Sequence, residues 1–302
     1  PLLFVVFVLL LITIIPGLGH KANNASRWIK IGPINFQPSE LLKLAIIFFL
    51  ADYIAKNINQ MDNFKIGILK PMGFIGVYLL LIIKQPNLSA AVLIGLFSFT
   101  MLFIAGPRIK HIIMIGIVGV LLSALVISQN KYMYDRFMNW WDNSTDTQDK
   151  SFQNNRTRLA ICTGGLTGRG FYNSQVKIIG LPEAHTDFIF AIIIEEVGLL
   201  GGSLILLVYL IMIIRCIVII NQQTQIYQKF LAIGITLFFC MHILVNLGVA
   251  LWILPNTGIT LPFISYGGTS LLVFMFCAGI MLNLSIKKIT RIEDISTNVW
   301  KI

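Results

Sequence analysis

DFIFAIIIEEVGLLGGSLILLVYLIMII, residues 187–214, decides the architecture of this chain. From Val197 to Ile214 it carries no charged residue. An α-helix needs about 20 predominantly apolar residues to cross the hydrocarbon of a bilayer, and it satisfies its own backbone hydrogen bonds on the way. The stretch therefore reads as a membrane span, long enough to tilt or to begin in the interface. Working outward, comparable apolar runs fall at 2–15, 39–55, 67–83, 88–105, 110–128, 230–253 and 269–286. The expected fold is an all-α polytopic membrane helix bundle of about eight spans. We expect one membrane domain over 1–302, with a large extracytoplasmic loop at 129–186 inside it.

Composition supports this and excludes other classes. Of 302 residues, 56% are hydrophobic and 12% charged, about half the charged share of a soluble domain. Too little polar sequence is present to cover a soluble surface, and too much apolar sequence for disorder. The four cysteines do not form a disulfide framework. Cys216, Cys240 and Cys277 lie in apolar runs and read as small buried hydrophobes, and Cys162 sits alone in a polar segment. The net charge of +10 is scattered between apolar runs, without a basic cluster interleaved with aromatics. We expect no nucleic-acid partner, and instead an anionic membrane surface or a phosphate-bearing lipid. Residue 1 is Pro and the chain opens inside an apolar run, so its start is expected to be missing.

An even number of spans places both ends on one side. Excluding the long loop, whose length lets it translocate regardless of charge, 11 Lys and Arg fall on the C-terminal side and 4 on the other. The C-terminus is therefore expected in the cytoplasm. The outer segments are then 16–38, 129–186 and 254–268.

These outer segments hold the ionisable and irregular residues. In QPSELLKLAIIFF, Glu40 and Lys43 stand three apart on one helix face just inside the interface, behind Pro38 at a helix start. They read either as an ion pair fixing helix packing or as a charged face toward a cavity for an anionic headgroup. Arg27 and Trp28 precede them in a polar, turn-forming stretch. Trp28 suits an interfacial anchor, and the planar fork of Arg27 suits a phosphate. In LPEAHTDFIFAIIIEEVG, Glu183, His185 and Asp187 crowd the mouth of the sixth span, with Glu195 and Glu196 two turns deeper. Partial desolvation at such a boundary makes a carboxylate a better proton acceptor. The preceding TGGLTGRGFYN allows close backbone approach, and Arg156, Arg158, Arg169 and Lys177 add positive charge. LPNTGITLPFISYGGTS interrupts the apolar pattern around Ser265 and Tyr266, where non-helical backbone must line a cavity or be buried in protein. His242 and Asn246 share a helix face and are expected to bond between helices. No spacing reads as a protein metal site.

NNASRWIKIG with FQPSELLKLA, LPEAHTDFIFA with EEVG, and NLGVALWILPNTGITLPFISYGGTSLL, in this order and spacing, resemble the FtsW/RodA (SEDS) family of bacterial cell-wall proteins. The LPEAHTDFIF and ITLPFISYGGTS forms, with ADY at 51–53, are more similar to the division member than to the elongation member. The resemblance implies ten membrane helices in the whole protein. It implies a peptidoglycan glycosyltransferase that polymerises glycan strands from lipid II, an undecaprenyl-pyrophosphate disaccharide-pentapeptide, at the outer face of the cytoplasmic membrane during septal synthesis. Asp187 matches the family's essential extracytoplasmic aspartate and would be the catalytic base. Arg27, Trp28, Glu40, Lys43, Glu183, His185, Arg169, Ser265 and Tyr266 would contact or flank the substrate. A divalent cation, Mg or Mn, could accompany the substrate pyrophosphate. The implied partners are the growing glycan strand, a class B penicillin-binding transpeptidase and other division proteins. The chain departs from the family pattern at Asn87 in QPNLSA, at Asn143 in WDNS and at Arg156. Two other readings stay open from the residues: a transporter that flips the lipid precursor, and a non-catalytic scaffold for the transpeptidase.

Overall fold

The computed structural model describes residues 1–15, 20–22, 25–32, 34–141, 151–178 and 186–299. The helices are α1 (Leu2–Ile14), α2 (Pro38–Asn57), α3 (Lys70–Lys84, continuing a π-turn at Lys65–Leu69), α4 (Leu88–Ile104), α5 (Ile109–Gln129) and α6 (Lys131–Trp141). They are followed by α7 (Ser151–Gly164), α8 (Gln175–Ile178), α9 (Ile189–Gln222), α10 (Ile226–Ala250) and α11 (Gly268–Val299). Each of the eight expected spans is a helix. Among the described residues, five helical stretches, Lys65–Lys84, Ile109–Gln129, Ile189–Gln222, Ile226–Ala250 and Gly268–Ile286, are long and apolar enough to cross a membrane. α1 and α4 are apolar but shorter, and α2 carries Glu40, Lys43, Asp52 and Lys56 along its length.

Local chemistry sets the ends of these helices. Pro38 occupies the first turn of α2, where its missing N–H costs nothing. Asn87 caps α4, its Oδ1 accepting the Ala90 N–H at 3.4 Å.

The segment expected to be a polar turn region instead forms a small antiparallel sheet, β1 (His20–Ala22), β2 (Ala25–Ile31) and β3 (Ile34–Phe36) in the order β1-β2-β3. Trp28, Ile29 and Ile31 give β2 the aromatic and β-branched residues a strand favours. Gly32, at φ +59, starts the reversal that pairs Ile31 with Ile34.

The chain divides into two compact units that interleave in sequence. Unit 1 comprises Pro1–Ile112, Met212–Phe239 and Gly268–Ile302, and unit 2 comprises Ile113–Ile211 and Cys240–Gly267. In unit 1 the buried face of α2 is Leu42, Ile46, Ile47, Leu50 and Ile54. Gly234 of α10 lets Ile47 and Met101 approach the helix backbone, the small-residue contact that helices in lipid rely on. Phe238 and Phe274 pack with ring centroids 5.2 Å apart. Thr269 Oγ1 accepts the Gln37 N–H and donates to the Asn35 carbonyl, both at 3.2 Å, tying the start of α11 to the β3–α2 junction. In unit 2 the core is Ala160, Val176, Phe188, Ala191, Ile192 and Val249, with Ile161 and Leu254 against it.

Candidate active site

Asp187 lies in a turn immediately before α9, half-buried, with the fully buried Phe188 anchoring the next position in the core of unit 2. Two segments fix the backbone at 186–187, and a third contact holds the loop beside it. Asn246 of α10 donates through Nδ2 to the Asp187 carbonyl at 3.1 Å and to the Ile259 carbonyl at 2.8 Å. Two carbonyl acceptors require the amide nitrogen on this side, so the partners themselves settle the orientation of the side chain. Ser265 Oγ donates to the Thr186 carbonyl at 2.6 Å and accepts the Leu261 N–H at 2.8 Å. Tyr209 of α9 donates to the Pro262 carbonyl at 2.6 Å. The irregular 254–265 segment is therefore pinned by buried side chains on helices and on itself.

Gly258 stands beside the carboxylate. A Cβ on it would come within 3.7 Å of Asp187 Oδ2, and its φ of +70 lies where side chains are strained. Asp187 thus faces backbone that can approach without a side chain between. Non-glycine residues also adopt positive φ nearby, Trp252 at 65 and Phe263 at 64. Such backbone persists only where its surroundings fix it, and it clusters at functional sites.

A second feature organises the glycine-rich loop of unit 2. α9 breaks at Gly198, whose φ of 79 and ψ of −178 are not helical. The freed backbone pairs with 165–170. Arg169 N–H donates to the Glu195 carbonyl at 2.9 Å, Gly170 N–H to the Glu196 carbonyl at 2.9 Å, and Leu199 N–H to the Gly165 carbonyl at 3.0 Å. A Cβ on Gly198 would strike the Leu166 carbonyl, and one on Gly168 the Glu196 carbonyl. Gly164 and Gly168 of TGGLTGRG, with Gly198 opposite, are therefore spacers for backbone-to-backbone contact. Glu195, 0% exposed, completes the clasp. Its carboxylate accepts Ser174 Oγ at 2.5 Å and the N–H groups of Gln175 and Val176 at 3.0 and 3.4 Å. A buried carboxylate with three donors is a satisfied structural anion.

Other candidates fall in different places. In unit 2, Arg169 has an exposed side chain, Tyr266 is exposed, and Ser265 is buried with its hydroxyl engaged as above. Arg158 stacks over the Trp252 ring at 5.4 Å. In unit 1, Lys43 is 3% exposed and pairs with Glu40 at 2.7 Å, its ammonium 5.8 Å from the Phe238 ring centroid. Arg27, on β2, donates through Nε to the Gln85 carbonyl at 3.2 Å and through Nη2 to the Pro86 carbonyl. The buried Gln85 in turn donates to the Leu10 carbonyl and to Thr13 Oγ1. Trp28 is half-buried beside Arg27. Glu183, His185 and Asn143 lie outside the described residues. Asn246 bonds to the loop backbone, not to another helix side chain as expected, and nothing in its spacing from His242 distinguishes the two. Among the described residues, no group of three or more His, Cys, Asp or Glu side chains could hold a metal ion.

The family model described as "Cell cycle protein", covering FtsW, RodA and SpoVE, matches residues 1–290. The chain belongs to the FtsW/RodA family. This FtsW/RodA protein is 38% identical over 288 residues to a protein of Geobacter sulfurreducens named "Probable peptidoglycan glycosyltransferase FtsW", covering 94% of this chain and 76% of that one. It is 36% identical to stage V sporulation protein E of Bacillus subtilis, covering 94% and 78% of the two chains. Among solved structures it resembles a chain of a peptidoglycan synthase complex at 26% identity and TM-score 0.72, covering 94% and 79%. It also resembles Thermus thermophilus rod shape determining protein RodA at 26% identity and TM-score 0.64, covering 93% and 75%. The FtsW/RodA assignment fits a multi-pass membrane protein with an all-α bundle.

Proposed function

We propose that this chain is a peptidoglycan glycosyltransferase of the division type, with Asp187 as the general base. The observation that carries the assignment of the base is the fixed backbone around a half-buried carboxylate: Asn246 and Ser265 hold the 186–187 backbone, and Gly258 stands beside the Asp187 carboxylate. The names carried by relatives over most of the chain support the activity. In the reaction, the carboxylate removes the proton from the 4-hydroxyl of the acceptor sugar. The oxygen attacks the anomeric carbon of the lipid-linked glycan donor, and the bond to undecaprenyl pyrophosphate breaks, the leaving group taking the electron pair. Lipid II and the growing strand are the substrates, and the septum is the place of action.

The exposed Arg169 is the described cation best suited to meet the charge on the leaving group. Arg27 and Lys43 act differently in this reading. Two nitrogens of Arg27 are spent on backbone carbonyls, and Lys43 is spent on Glu40, so both position the surrounding structure. The described donor set does not supply a cage for a resident metal. Mg or Mn, if used, would arrive bound to the pyrophosphate as part of the substrate, and no step here depends on it. The partner is a class B penicillin-binding transpeptidase, in keeping with the likeness to a chain of a peptidoglycan synthase complex.

The test is glycan polymerisation from purified lipid II by the whole protein with its transpeptidase, comparing wild type with Asp187→Asn. The substitution removes the base and nearly preserves size. A folded variant is expected to lose at least about 100-fold in rate. Equal polymer from both would remove Asp187 from the chemistry. No polymer from either, with folding and partner binding intact, would favour the transporter or the scaffold.

A further inference from the structure

α6 begins one residue after α5 ends, and its exposed face is not one that water selects. α5 is a 21-residue apolar helix of membrane-spanning length that stops at Gln129. Residue 131 therefore starts at the level where a span leaves hydrocarbon. Asn130 restarts the helix: its Oδ1 lies 3.4 Å from the Met133 nitrogen and its carbonyl accepts the Tyr134 N–H at 2.9 Å.

At about 100° per residue, α6 divides into three sectors. Met133, which is buried, and Trp140, whose Nε1 donates to the Trp252 carbonyl at 3.3 Å, share the face packed on unit 2. Asp135 lies on another, about 110° from the centre of the exposed stripe, whereas Lys131 falls one turn before Tyr134 and two before Met138, at the edge of that stripe. Between these faces run Tyr134, Phe137, Met138 and Trp141, at i, i+3, i+4 and i+7, all exposed, with Trp141 at 72%. The Phe137 and Trp141 rings lie stacked, with centroids 6.4 Å apart. A contiguous stripe of three aromatics and a methionine beside a solvated face is an interaction surface. Its position names the occupant. It is continuous with the end of a span, and Tyr and Trp carry an apolar body and a polar handle, the combination enriched where headgroups meet acyl chains.

We propose that α6 is an interfacial helix that lies in the membrane surface with Tyr134, Phe137, Met138 and Trp141 in lipid. The bond from Trp140 joins this anchor to Trp252, just past the end of α10, and α10 carries the Asn246 that holds Asp187. α6 thereby sets the depth of the Asp187 segment relative to the lipid surface. This inference needs only the membrane fold and stands apart from the glycosyltransferase reading.

The test uses the whole chain in a Cys162→Ser, Cys240→Ala background, in which the remaining Cys216 and Cys277 are buried, reconstituted into vesicles of phosphatidylethanolamine and phosphatidylglycerol. Bimane is attached to a single accessible cysteine placed by Tyr134→Cys, Phe137→Cys, Met138→Cys, Trp141→Cys or, on the other face, Asp135→Cys. Quenching by a lipid bearing a doxyl group near its headgroup is compared with quenching by aqueous iodide. The four stripe positions are expected to be quenched by the doxyl lipid about twofold or more above position 135, and the order is expected to reverse with iodide. Equal access of iodide to all five positions would overturn the proposal. So would protection of the stripe from both quenchers, since a second copy or a partner protein would then cover it.

Discussion

Asn246 uses both hydrogens of one amide to hold two carbonyls that have no helix or strand to pair with. A buried carbonyl stripped of its donor costs about 1–3 kcal/mol, so Asn246→Ala is expected to lower stability by about 2 kcal/mol or more, read as a drop in thermal midpoint in detergent. Because the same amide positions Asp187, polymerisation by the folded variant is expected to fall about tenfold or more. A stability loss with unchanged rate would make Asn246 purely structural. The sequence makes Asp187 legible, since a carboxylate at the mouth of a span is costly and therefore informative. It leaves Asn246 unreadable, because an Asn in a span has the same appearance whether it bonds to a helix or to a loop folded back from elsewhere. Arg27 was legible as an interesting cation, but its acceptors at Gln85 and Pro86 are fixed only by tertiary structure.

At the scale of elements, the break in α9 matters most. A continuous apolar pattern through Gly198 reads as one helix, yet the backbone there leaves the helical region to pair with 165–170. Only the density of glycines on both sides hinted at it. Glu195 closes the same clasp, and hydrogen bonds to a charged group contribute about 1.5–3 kcal/mol. Glu195→Ala is expected to release 165–176, seen as faster cleavage in that stretch by a protease and as lower thermal stability. Ser174→Ala, which removes one donor of three, should show a smaller effect in the same direction, and the double variant should be no worse than Glu195→Ala alone. Additive losses would mean that Ser174 and Glu195 act separately. The sheet at β1–β3 escaped the sequence reading for a related reason: its strands are 3, 7 and 3 residues long, and pairing between such short strands is a non-local event.

For the molecule as a whole, hydropathy carried most of the fold. Each expected span is a helix, because twenty apolar residues in lipid have few alternatives. The division into two units was not legible, since three of its four boundaries fall inside α5, α9 and α10 and only the fourth, at 267–268, meets the end of an irregular segment. Orientation is testable with a native residue. Cys162 is exposed, Cys240 is half-buried within the α10 span, and Cys216 and Cys277 are buried. A membrane-impermeant maleimide added to intact spheroplasts is expected to label Cys162 without permeabilisation, and Cys162→Ser should abolish that signal. Labelling that requires permeabilisation would invert the topology. The interleaving of the units also bears on how the protein is made. Unit 1 is interrupted twice in sequence, and Thr269 closes on Asn35 across 234 residues. A ribosome must therefore deliver 234 further residues beyond Asn35 before that residue meets Thr269. Until then, the charged pair at Glu40 and Lys43 awaits the ring of Phe238, a long period of exposure in which an insertase or chaperone has something to guard.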